Sequence, residues 1–168
     1  MIEPEQIIKI IGKKFAHRIV ANLRISMPKI TICSYQQNMI ADCSNGIIRF
    51  YVKKLQKVEK KLLQWAFAHE CRHVWQAKKL RNYHKTMLHL TDEIRKLGQY
   101  YITQIKIEDV EFKILYDDTL DYLVSDIYHD LLPDEVDANI YAFIRTGCDF
   151  SRTALALKGK SRDDYMFT

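Results

Sequence analysis

An α+β fold is what this sequence predicts, and three observations predict it. A helical pattern opens the 168-residue chain, a short block rich in β-branched residues and turn signals follows, and helical patterns fill most of the remainder. That order places helices on one face of a small antiparallel sheet. With 48% hydrophobic residues and only five glycines and three prolines, the chain can bury a core of its own, so we read residues 1–157 as a single domain.

Each element has its own justification. Residues 4–24 read as one helix: Pro4 suits a first turn, and Ile7, Ile8, Ile11, Phe15, Ile19, Val20 and Leu23 recur at helical spacing. Pro28 lies past its end. Lys29 to Tyr35 alternates and is β-branched, which predicts a strand. Ser44-Asn45-Gly46 is a turn signal, and Ile47 to Val52 continues as a strand beyond it. Two or three short antiparallel strands are thus expected between 29 and 53. Ile47 to Val52 could serve as a sheet edge that accepts an extended peptide, or could simply support the sheet.

A long helix is expected over about 57–80, with Val58, Leu62, Trp65, Ala66, His69, His73 and Gln76 at i+3 and i+4 steps. Residues 81–132 are expected to form a long, largely helical segment. Its runs lie at 86–106 and from Asp118 or Thr119 to Leu132, with an ambiguous stretch at 107–116. Pro133 opens a last helix over 133–146 that stops at Gly147. Residues 158–168 are polar and basic and are expected to fray.

Composition narrows the function classes. The net charge of +5 is modest and dispersed, so it gives no argument for a nucleic-acid partner. Cys33, Cys43, Cys71 and Cys148 form no C-x-x-C pair and read as free thiols in a reducing compartment. No apolar run approaches the roughly 18 residues needed to span a bilayer. The acidic start, Met1-Ile2-Glu3-Pro4-Glu5, does not resemble a secretory signal, and the expected location is the cytoplasm.

One motif carries chemistry. His69-Glu70-Cys71-Arg72-His73 is an H-E-x-x-H within a helical segment. Histidines four residues apart share a helix face, so both imidazoles can bind one Zn2+. Glu70, one position on, would activate a zinc-bound water as general base. A catalytic zinc needs a third protein ligand. The candidate is Glu135, which shares a face with Ala138, Asn139 and Ala142 if 133–146 is helical. Asn139 could then hydrogen-bond a ligand histidine, and the two alanines would let this helix pack close to the first. Acidic residues near a helix start also favour the dipole without any metal.

Asp137 is two residues further along the helix than Glu135 and faces away. Cys71, at i+2 from His69, should point into the core, which argues against a nucleophilic thiol. An oxyanion-stabilising donor could come from His84, His89, His129, Tyr128 or Tyr141, each of which reads as readily as an ordinary packing or surface residue.

Together, His69-Glu70-Cys71-Arg72-His73 and Glu135-Val136-Asp137-Ala138-Asn139-Ile140-Tyr141-Ala142 resemble the small zincin metallopeptidases of the ImmA/IrrE type, with H-E-x-x-H followed by E-x-x-A-N/D-x-F-A. Tyr141 stands where those proteins carry Phe, and Arg72 is charged where the wider zincin pattern has an uncharged residue. The resemblance implies a zincin-like fold: an N-terminal helix, a small three-stranded sheet, an active-site helix and a glutamate-bearing helix. It implies His69, His73 and Glu135 as zinc ligands and Glu70 as general base. It further implies a bacterial or phage peptidase acting on a protein or peptide substrate, a repressor or other regulatory protein among the candidates. The alternative expectation is a phage or mobile-element binding protein that sequesters a host protein through the 81–132 insertion, the metal being structural or vestigial.

Overall fold

The computed structural model describes residues 3–34, 39–52, 58–79, 129–156, 158–160 and 162–165. The helices expected between 86 and 128 lie outside the described residues. Among the described residues no helix is long and apolar enough to cross a membrane.

Two helices, α1 (Pro4–Ile11) and α2 (Lys13–Leu23), stand where the sequence pattern gave one. The break is Gly12, at φ 94° and ψ 119°, a backbone conformation that side chains with a Cβ strongly disfavour. The apolar spacing continues across the break because both helices turn the same face inward. Ile7, Ile11 and Ile19 are fully buried, and Gln64 Nε2 donates to the Ile11 carbonyl at 2.8 Å, satisfying a helix-end acceptor.

The sheet has three strands, β1 (Lys29–Cys33), β2 (Ala41–Ser44) and β3 (Ile47–Tyr51), in the order β1-β3-β2. β2 and β3 form the expected hairpin. Asn45 and Gly46 both have positive φ, 51° and 74°, as a two-residue turn of the mirror-image type requires. The all-antiparallel expectation is corrected at β1, which pairs with β3 in parallel, Lys29 opposite Ile47 and Cys33 opposite Tyr51. Side-chain alternation fixes which face a residue occupies but not which neighbour its strand chooses. The chain leaves β1 and returns on the far side of β3. Ile40, fully buried, is fixed there by the Tyr51 amide, which donates to its carbonyl at 2.9 Å. β3 is therefore the central strand, hydrogen-bonded on both sides, and cannot be the peptide-accepting edge that was considered for Ile47 to Val52.

Helix α3 (Lys60–Lys79) packs against both N-terminal helices and the sheet. Leu62, Leu63, Trp65, Ala66, Phe67 and Ala68 are all buried, because α1, α2, the sheet and a fourth helix pack around its first half. That helix, α4 (Pro133–Thr146), begins at Pro133 and ends at Gly147 in the left-handed conformation, as expected. Ala138 and Ala142 on α4 are fully buried. A short α5 (Arg152–Ala156) follows. In the tail, Arg162–Tyr165 makes a 3-10 turn. Here the chain is tied back to the core: the Tyr165 ring meets Phe150 edge-on at 5.2 Å, and its carbonyl accepts from the Glu59 amide.

The Gly12 break gives a direct test. A Cβ there would meet nothing within 4 Å, so Gly12→Ala isolates backbone strain. It should lower the unfolding free energy by about 1–3 kcal/mol in a urea titration, with no change in the slope.

Candidate metal centre

His69 and His73 project from one face of α3, one turn apart, as their spacing requires. Their rings meet edge-on with centroids 4.7 Å apart, and the two Nε2 atoms lie 3.0 Å from each other. Trp65, one turn earlier, stacks on His69 at 4.9 Å and walls off that side. Glu135 enters from the first turn of α4, where the helix dipole favours a carboxylate. Its Oε2 lies 3.2 Å from His69 Nε2 and its Oε1 3.5 Å from His73 Nε2.

These three residues can hold a metal ion, since one donor atom from each lies within 4.8 Å of the others. Donors about 2.0–2.1 Å from a common tetrahedral centre stand about 3.3 Å from one another. The 3.0 Å between the two Nε2 atoms and the 3.2 Å from His69 Nε2 to Glu135 Oε2 lie near that edge, while His73 Nε2 is 3.5 Å from the other carboxylate oxygen, Oε1. Glu70 is buried against the same cluster, with Oε1 4.0 Å from His69 Nε2. The sequence-predicted ligands and base therefore converge.

The supporting residues differ in one respect from expectation. Asn139, expected beside a ligand histidine, instead donates from Nδ2 to Asp130 Oδ1 at 3.4 Å, in the residues that precede α4. The partner of His73 is Gln76, whose Oε1 lies 2.8 Å from Nδ1. Its position was legible in principle, since i and i+3 residues are neighbours on a helix. Asp137 is not one of the three clustered donors; it is bound by Arg72 and Gln76 on α3. His129 was one of several oxyanion-donor candidates. Its Nε2 lies 3.7 Å from Glu135 Oε1, and its Nδ1 is 3.5 Å from Asp130. No spacing signal links His129 to the motif.

Electrostatics follow from this packing. At His73, burial works against the charged ring, but the Glu135 hydrogen bond and the charges of Glu70 and Glu135 outweigh it and push the pKa up to about 9. Burial would also raise the Glu135 carboxyl, yet hydrogen bonds from His69 and His73 hold it far below the usual carboxylate range. Both nearby thiols are raised, Cys43 to about 11 and Cys71 well above its ordinary value, chiefly by burial and then by the charge of Glu70. A buried, protonated thiol is a poor nucleophile, which removes the cysteine alternative.

No family model, no curated protein and no solved structure matches this chain. The site therefore rests on its own geometry.

A metal ion must displace the proton of His73, so pH controls uptake. The His73 pKa is higher folded than unfolded. Its contribution to the metal-free protein is therefore fully present below pH 6.5 and lost as the pH rises through about 9. Thermal melting of the metal-stripped protein should show falling stability across that window. Zinc affinity, measured against a competing chelator, should instead rise by about tenfold per pH unit below 9.

Proposed function

We propose that the protein is a zinc-dependent peptidase. The observation that carries this reading is the convergence of His69, His73 and Glu135, with a further buried carboxylate, Glu70, beside the histidine pair. Two neutral imidazoles and one carboxylate suit zinc among the common divalent ions. A bound zinc would supply Lewis acidity, polarising the scissile carbonyl and lowering the pKa of water towards about 7.

The chain's own residues do the rest. Glu70 takes the proton from the attacking water and later delivers it to the leaving amine, a role that its burial and its place beside His69 support. His69, His73 and Glu135 would hold the metal. Trp65 and the core beneath it exclude water from one side and strengthen each charge interaction. The order of motifs, similar to that of the ImmA/IrrE-type zincins, supports the same reading and points to a protein or peptide substrate.

Glu70→Gln removes the base while leaving the ligands intact. It should retain metal content in elemental analysis and lose at least about 100-fold in hydrolysis of an unfolded protein substrate. Cleavage at the wild-type rate would show the mechanism to be wrong. If the variant instead kept the protein's full biological effect, the site would be serving a sequestering protein rather than a peptidase.

A further inference from the structure

The side-chain amide of Gln76 has a single chemically consistent orientation. One end lies 3.0 Å from the Asp134 backbone carbonyl oxygen and 2.8 Å from Asp137 Oδ2. Both are acceptors only: a backbone carbonyl carries no proton, and both Asp137 carboxylate oxygens accept from the Arg72 guanidinium. The end that faces them must therefore be the NH2 group. The carbonyl end, Oε1, then faces His73 Nδ1 at 2.8 Å, and only an N–H can donate to it.

The consequence reaches the cluster. With a proton fixed at Nδ1, the neutral His73 ring must present its lone pair at Nε2, the atom that stands beside His69 and Glu135. Gln76 is itself held from behind. Arg72 grips Asp137 through Nε to Oδ2 at 2.7 Å and Nη2 to Oδ1 at 2.9 Å. The guanidinium lies over Trp75 at 3.9 Å, which fixes its plane. Arg72, His73 and Gln76 belong to α3, whereas Asp134, Glu135 and Asp137 belong to α4. The same pair of helices is thus clamped once through the donor cluster and once through this chain of hydrogen bonds.

We infer that Gln76, locked by Asp137 and Arg72, is the positioning residue that sets the tautomer and ring orientation of His73 for metal binding. This rests on the metal-site reading above and adds a specific determinant to it. Arg72, the charged residue inside the H-E-x-x-H, acquires a purpose: it orients the carboxylate that orients the amide.

The test uses the full chain, stripped of metal and titrated with zinc against a chromophoric chelator, with the visible absorption of the Co2+-loaded protein as a second readout. Gln76→Met removes every hydrogen bond of the amide and should weaken zinc binding by about 10–100-fold and alter the cobalt spectrum. A role confined to tying the helices together would change melting temperature without changing affinity or spectrum. Wild-type affinity and spectrum in Gln76→Met would overturn the inference. If wild type itself takes up neither zinc nor cobalt, the metal-site reading falls and this inference with it.

Discussion

Ala138 and Ala142 are fully buried on α4, and with nothing larger than a methyl group at either position α4 lies close against α3. That closeness decides where Glu135 can reach. A carboxylate from the first turn of one helix meets two imidazoles from the middle of another at 3.2 and 3.5 Å. Such distances leave little room for slack, since larger residues at this interface would drive the helices apart. The rest of the fold holds α3 still. α1, α2 and the sheet pack against it and bury Leu62, Leu63 and Trp65 to Ala68, so the histidines project from a helix anchored in the core.

Four ionisable side chains, His69, Glu70, His73 and Glu135, crowd this small volume. Burying them would be costly unless each charge were compensated. In the metal-free protein a proton on His73 supplies part of that compensation, which is why its pKa rises despite burial. A divalent cation would supply it more completely from the same place. Proton and metal are therefore rivals for one location, and the arrangement that stabilises the one is also the arrangement that recognises the other.

Much of the site was legible in the sequence because it depends on helix periodicity alone. Four-residue spacing puts His69 and His73 on one face in any α-helix, and Pro133 and Gly147 mark both ends of the helix that carries Glu135. What escaped sequence reading depends on tertiary contacts or on local backbone geometry. Gly12 breaks the first helix without disturbing its apolar spacing, since α1 and α2 bury the same face. β1 pairs in parallel with β3 because the chain crosses to the far side of the hairpin, a choice that alternation cannot encode. Gln76 rather than Asn139 supports a histidine because the amide of Asn139 is taken by Asp130. His129 approaches Glu135 although no local spacing links it to either motif.

The most direct test of the central claim is metal content by elemental analysis of protein purified without added metal, wild type beside Glu135→Ala. The account predicts about one zinc per wild-type chain and a clear reduction in the variant, because two histidines without the carboxylate make an incomplete ligand set. Absence of metal from the wild type, even after zinc is supplied, would contradict it.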